Sequence, residues 1–244
     1  LLEEDLKLAQ ESLAFMRGQL TKLPDDPFYI PITNHGRSDL DLSKEYVDSQ
    51  AVMNEILPSI KHVDCAGIWA SGDQCRATMN SEGESHWFKT NSFYFNYSLY
   101  TTKQKAVKGN YADQVFRLDT FRRNIERSVS ELALLERPEK TLPRGAYKTY
   151  LAPDAVLEIL KTLGWGSFGL GSVKRGNSGL KQLYEGSKSL SPKFNLDEDF
   201  SLGLNAPFNS LGELAPAKLA LIEKGKLSNL LVSSRSAKEY NVAS

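Results

Sequence analysis

The sequence predicts an α+β fold, an antiparallel sheet packed by helices and followed by the start of a β-rich C-terminal domain. Three stretches carry that prediction. Phe93, Phe95, Tyr97 and Leu99 alternate with Tyr94, Asn96, Ser98 and Tyr100, the period-2 pattern of a strand with aromatic residues on both faces. Between Tyr111 and Leu135, Leu118, Phe121, Ile125, Val129 and Leu132 form one helical stripe, with Arg122, Arg123, Glu126, Arg127 and Glu131 off it. Near the end, Leu219–Glu223 and Leu227–Val232 flank Lys224-Gly225-Lys226, which reads as a hairpin. The division expected is an α+β unit over 1–140 and a β-rich, incomplete unit over 141–244.

The remaining elements follow in order. Leu2, Leu6, Ala9, Leu13, Met16 and Leu20 have helical spacing, which predicts a helix over 2–20. Residues 21–43 hold Pro24, Pro27 and Pro31 among turn signals and read as a surface loop with a short extended piece at 28–32. A second helix is expected over 43–57, stopped by Pro58. Cys65–Ala70 and Gln74–Met79 read as a hairpin turning at Ser71-Gly72-Asp73, with a second turn at Asn80-Ser81-Glu82-Gly83. After Pro138, Gly145–Leu151 reads as a strand. A helix follows from Pro153 to its stop at Gly164, with Val156, Ile159, Leu160 and Leu163 on one face. Residues 164–190, with seven glycines and five serines, read as a mobile loop.

Composition narrows the function classes. The chain has 244 residues, with 30 basic and 30 acidic side chains and a formal net charge of zero, so no basic excess argues for nucleic acid or an anionic membrane. No apolar run approaches the roughly 20 residues of a bilayer-spanning helix. Two cysteines, Cys65 and Cys75, make no disulfide framework; both read as reduced, mostly buried thiols of a cytoplasmic protein. The chain opens on Leu1, so it reads as a fragment or as having lost residues.

Chemistry-bearing patterns are sparse. Of three histidines, His35, His62 and His86, none lies a helical turn from another, and His62 with Cys65 offers two metal ligands at most. Gly176-Asn177-Ser178-Gly179 lacks the spacing and the preceding strand of a nucleophile elbow. Gly164-x-Gly166-x-x-Gly169 follows a helix and opens a loop, the wrong context for a phosphate cradle. The acidic clusters Asp25-Asp26 and Asp197-Glu198-Asp199 read as solvated loop carboxylates. From residues alone, the reading stops at an α+β protein of unassigned function.

Several segments together resemble the TldD/PmbA family. Ala66–Gly72 followed by Arg76–Gly83 is similar to that family's paired strands ending in an Asn-Ser-x-Gly turn. Leu142–Val156 resembles its P-G-x-Y-x-V-x-L-x-P-x-A-V segment, and Leu221–Leu227 its L-I-x-x-G-x-L hairpin. Ser236-Ala237-Lys238 follows as the family's A-x-x-x-G segment would, with Asn241 where glycine is expected. Order and spacing agree over 60–240. The family's active members are metallopeptidases with His-Glu-x-x-x-His on the helix after the L-x-P strand. That helix falls here at 154–163. In one register Leu157 and Thr162 replace the histidines and only Glu158 remains; no histidine follows His86, so no register restores the motif. The resemblance therefore implies a PmbA/TldE-like chain with no catalytic residue and no metal ligand of its own. Zinc is expected only in a TldD-type partner, and the complex would cleave extended peptides. Partners implied are that subunit or a second copy, and a peptide substrate; membrane and nucleic acid are not expected. Asn80, Ser81, Gly83, Asn177 and Ser178 are candidate peptide-binding or loop residues. The alternative is a non-enzymatic peptide- or protein-binding module on the same fold. The family's acidic D-D-E-G segment is reduced here to Asn209-Ser210-Leu211-Gly212-Glu213, and the family is longer at both ends. Its other description, modulator of DNA gyrase, finds neither support nor contradiction in these residues.

Overall fold

The computed structural model describes residues 2–45 and 47–243. It is an α+β protein with two sheets. The larger has four strands, β1 (Arg37–Asp41), β2 (Asp64–Met79), β3 (Ser85–Tyr100) and β4 (Ala106–Asp113). The smaller has three, β5 (Leu196–Asp199), β6 (Lys218–Glu223) and β7 (Lys226–Leu227). The helices are α1 (Leu2–Leu20), α2 (Ser49–Ile60), α3 (Leu118–Leu135), α4 (Pro153–Gly164), α5 (Leu170–Lys174), α6 (Lys181–Tyr184) and α7 (Ser234–Tyr240).

Strand β3 organises the large sheet. It pairs antiparallel with β2 along its whole length, from Met79↔Ser85 to Asp64↔Tyr100. Its other side is shared: β1 runs parallel to Ser85–Lys89, and β4 runs antiparallel to Phe93–Tyr100. The expected turn at Ser71-Gly72-Asp73 does not form, because those residues pair with Phe93, Ser92 and Asn91 in an unbroken ladder. Turn-forming residues reverse a chain only where no partner strand holds them extended. The reversal comes at Asn80–Gly83, as expected from the second turn signal.

The buried face of β3 changes along its length. Glu84, at the end of the turn before it, and then His86, Phe88 and Thr90 are buried at even positions. Phe93, Phe95, Tyr97 and Leu99 are buried at odd ones. Asn91 marks the changeover; its side chain brackets Lys44, accepting from Lys44 N at 2.7 Å and donating to Lys44 O at 2.9 Å. Successive residues of a strand point to opposite faces. One strand thus feeds two cores. The odd set packs with Val52 and Ile56 of α2, Tyr111 of β4 and Phe121 and Ile125 of α3. The even set meets the C-terminal part, where Phe88 packs with Ala206 and Phe208. A third core, Phe168, Leu180, Leu221 and Ile222, sits on the small sheet.

Several boundaries differ from the sequence reading. Helix α1 forms over 2–20 as expected, yet buries none of its residues. The extended piece before the sheet is β1 at 37–41, not 28–32. Helix α2 starts at Ser49, where the Asp48 carboxylate accepts from Gln50 N at 3.0 Å. It runs through Pro58 to Ile60, since Ile56 and Ile60 pack on the core and outweigh the hydrogen bond proline removes. Helix α3 starts at Leu118, because Tyr111–Asp113 finish β4 and the Tyr111 hydroxyl accepts from Arg117 N at 3.1 Å. The strand expected at 145–151 is absent. No neighbouring strand supplies partners there among the described residues, and Tyr150 is 86% exposed. The glycine-rich 164–190 stretch is ordered: Phe168, Leu170, Val173 and Leu180 are buried, and α5 and α6 lie within it. At the hairpin, β6 and β7 join through Lys224 and Gly225, both at positive φ, 47° and 77°, and the second strand is only Lys226–Leu227 rather than the expected 227–232. Cys75 is exposed rather than buried, while Cys65 is half-buried, where burial raises its thiol pKa.

Candidate functional site

Helix α4 is the segment that the sequence resemblance sets against the family's metal helix. Pro153 opens it, and the apolar stripe Val156, Leu160 and Leu163 is only half-buried. Leu157 and Ile159 are exposed. Glu158 is exposed and ion-paired with Lys161 at 2.9 Å, one turn on. That hydrogen bond and charge hold the Glu158 carboxyl below the usual carboxylate range. Thr162 donates its hydroxyl to the Glu158 carbonyl at 3.1 Å. A leucine methyl group cannot coordinate zinc, and this threonine hydroxyl is turned back onto its own helix. The residues present do not fit a zinc ion. Among the described residues, no three His, Cys, Asp or Glu side chains are grouped to hold a metal.

The tip of the β2–β3 hairpin is a built turn. Asn80 Oδ1 accepts from Glu82 N at 3.0 Å and Glu84 N at 3.2 Å, and its amide donates to Thr33 O at 2.8 Å. Gly83 takes φ 88°, a left-handed value that glycine adopts at little cost. Ser81 is exposed on the tip. Asn177 is also exposed. Ser178, by contrast, is buried; its hydroxyl donates to Ser167 O at 2.6 Å and accepts from Leu180 N at 3.0 Å. Its hydroxyl is therefore committed to holding the 164–180 loop closed. Asn80, Ser81 and Gly83 come together; Asn177 and Ser178 belong to a separate part of the chain.

Beside the tip, residues 30–33, His35, Thr78–Asn80, Glu84, Ser210, Leu211 and Glu213 line a cavity of about 160 Å³. Ile30, Ile32, Met79 and Leu211 give it apolar walls, and Glu84, Glu213 and His35 also line it. Sequence reading passed over Glu84; the only signal was an acid at the head of a strand whose even positions turn inward. The acidic clusters weighed from the sequence are partly paired: Lys218 reaches Asp197 at 3.0 Å and Asp199 at 3.8 Å, and Arg235 of α7 pairs with Asp26.

The second feature is the outer edge of β2. β2 pairs only with β3 among the described strands, so one side of this 16-residue strand is left free. Ile68 and Met79 are exposed along it. An open edge offers unpaired backbone donors and acceptors to another extended chain.

An α+β chain with this fold has several solved counterparts. TldE from Thermococcus kodakarensis matches with a TM-score of 0.58 and 14% identity, over 92% of this chain and 54% of that one. A candidate modulator of DNA gyrase from Bacteroides thetaiotaomicron matches with a TM-score of 0.71 and 14% identity, over 96% and 59%. Another from Thermotoga maritima gives 0.61 and 14%, over 81% and 48%. The chain thus spans about half the length of these proteins. No curated protein matches it in sequence. Residues 144–244 match the PmbA/TldA metallopeptidase C-terminal domain. Residues 144–244 are thus similar in sequence to the TldD/PmbA family, and nearly the whole chain shares the fold of these solved proteins.

Proposed function

We propose that the chain is a PmbA/TldE-like subunit of a TldD/PmbA-type metallopeptidase complex that acts on extended peptides. The observation that carries this reading is helix α4. Where the resemblance sets the motif's histidines it has Leu157 and Thr162, and the motif's one acid, Glu158, is paired with Lys161 in solvent. A water-activating centre needs three protein ligands and an open position, which this helix does not supply. Hydrolysis would fall to a TldD-type partner that carries zinc on His-Glu-x-x-x-His. The role left for this chain is to hold substrate. The free edge of β2 supports strand addition: backbone hydrogen bonds give affinity for any extended peptide, and side chains on alternate positions give preference. The same edge favours the second reading, a peptide-binding module with no enzymatic partner.

Purification from its own cells, followed by peptide hydrolysis assays on each component and on the mixture, separates the two. The subunit reading expects a co-purifying His-Glu-x-x-x-His protein and cleavage that needs it and is stopped by chelator. Hydrolysis by the isolated chain, or stoichiometric zinc bound to it, would overturn the assignment. Peptide binding with no activity in any mixture would leave the module.

A further inference from the structure

The cavity beside the hairpin tip contains a buried carboxyl group that the protein does not fully pair. Glu84 is 2% exposed. Its Oε2 accepts from His35 N at 3.1 Å, but its Oε1 is buried without any hydrogen-bond partner. An ionised carboxylate has about four acceptor positions, and burying one with a single donor is costly. The second acid on the cavity is already satisfied. Glu213 accepts from Ser234 Oγ and, at 2.5 Å, from Asn209 Nδ2. Among the described residues neither acid has a basic side chain paired to it, although His35 lines the cavity with its Nε2 bonded to Thr33 Oγ1 at 2.9 Å.

Gly212 covers the unpaired oxygen. Its φ is 75°, and a Cβ there would overlap the Glu84 carboxylate, so only glycine permits this approach. The covering loop is shaped by Asn209, whose Oδ1 accepts from Leu211 N at 2.9 Å and Glu213 N at 3.1 Å. Its link to the hairpin through Thr78 Oγ1 and Ser210 O is long, at 3.5 Å. Glu84 lines the cavity, and a donor reaching Oε1 from it has to displace Gly212.

The walls select the ligand. A divalent metal would need more donors than the described residues gather here. At about 160 Å³ the cavity is smaller than the roughly 300–1,000 Å³ of a drug-sized site, so it fits one terminal group. A carboxylate set among isoleucine, methionine and leucine side chains suits a charged donor on a hydrocarbon stem. We propose that this cavity binds a primary ammonium group carried on a short apolar chain, with Glu84 Oε1 as its counter-ion. An ammonium is a compact charge with three N–H donors, and its stem would lie against Ile30, Ile32, Met79 and Leu211. A free alkylamine and the amino terminus of a peptide share this chemistry. The inference goes beyond the peptidase-subunit reading and does not depend on the β2 edge.

The test is an amide NMR titration of the full chain with n-butylammonium, n-butanol, a short leucine-initiated peptide and its N-acetylated form. The expected result is saturable shifts at His35, Glu84 and Gly212 with n-butylammonium and none with n-butanol. Glu84→Gln keeps a group that accepts from His35 N, and should weaken the amine at least about tenfold with the remaining spectrum unchanged. Matching shifts from the free-amine peptide, lost on acetylation, would make a peptide terminus the source; silence from it would leave a small amine. No shift with n-butylammonium, equal shifts with n-butanol, or undiminished amine binding in Glu84→Gln would overturn the proposal. If Glu84→Gln does not fold, the butylammonium–butanol comparison on the native chain still decides.

Discussion

Replacing Gly109 with alanine puts a methyl group against the ring of Tyr97. A Cβ at Gly109 would lie 2.5 Å from both Tyr97 Cζ and Oη and 2.9 Å from Cε2. The ring has little room to retreat. It stacks on Phe95 at 5.2 Å, and its hydroxyl is bonded to the buried Ser128 Oγ at 3.0 Å. Inserting a methylene-sized group into such packing costs about 1–3 kcal/mol. For a chain of this size that is a fall of roughly 2–12 °C in melting temperature. Urea denaturation followed by tryptophan fluorescence measures it. Trp69 stacks on Phe93 at 5.0 Å in the same core, whereas Trp165 is 91% exposed and serves as the insensitive reference. The cycle with Tyr97→Leu isolates the contact: once the ring is gone, adding the methyl to Gly109 should cost little. The double variant should therefore lose at least about 0.5 kcal/mol less than the sum of the singles. A Gly109→Ala protein as stable as the parent, or strictly additive losses, would refute the close approach as the reason for glycine.

Three further outcomes are expected. Tyr97→Phe leaves the Ser128 hydroxyl unpaired in the core and should cost about 1 kcal/mol, read from the urea midpoint; a neutral result would mean Ser128 finds another partner. Asn80→Ala removes one donor and one acceptor of three hydrogen bonds and should cost about 1–3 kcal/mol, with faster amide exchange confined to 82–86; unchanged exchange would show the tip does not need it. The Arg235 hydrogen bond, helped by Phe28 N, holds the Asp26 carboxyl below its ordinary value of 3.8. A depressed carboxyl contributes stability that is complete above the unfolded value and is lost as pH falls through the folded one, so the α7 contact should loosen only below pH 3.8. Carboxyl NMR titration checks this, and a midpoint at or above 3.8 for Asp26 would contradict it.

Much of the fold was legible because its signals are local. The alternation at 93–100, the Asn-Ser-Glu-Gly reversal, Pro153 opening α4 and Lys224-Gly225 each act within a few residues. What sequence missed depended on partners far along the chain. Ser71-Gly72-Asp73 has turn chemistry, but the ladder to Asn91–Phe93 holds it straight. Lys108-Gly109-Asn110 interrupts the strand pattern of β4, yet its glycine is there to receive Tyr97. The loop at 164–190 looked mobile by composition, although four apolar side chains and the Ser178 bonds fix it. The site divides in the same way. That α4 carries no histidine is visible in the sequence itself. The cavity is not visible, since Glu84 becomes buried only when a loop more than a hundred residues later folds over it.

The change of buried face within β3 makes that strand a common ruler for both ends of the molecule. Sliding it one step along β2 would turn Phe93, Phe95, Tyr97 and Leu99 to water and, in the same movement, withdraw Phe88 from Phe208. An added or deleted residue inside 85–100 should be intolerable at both places together, while one at the 81–83 tip or the 102–104 turn disturbs neither count. Length variation in relatives of this chain is thus predicted to gather at the 102–104 turn, because the 81–83 tip is held by the Asn80 hydrogen bonds and Gly83.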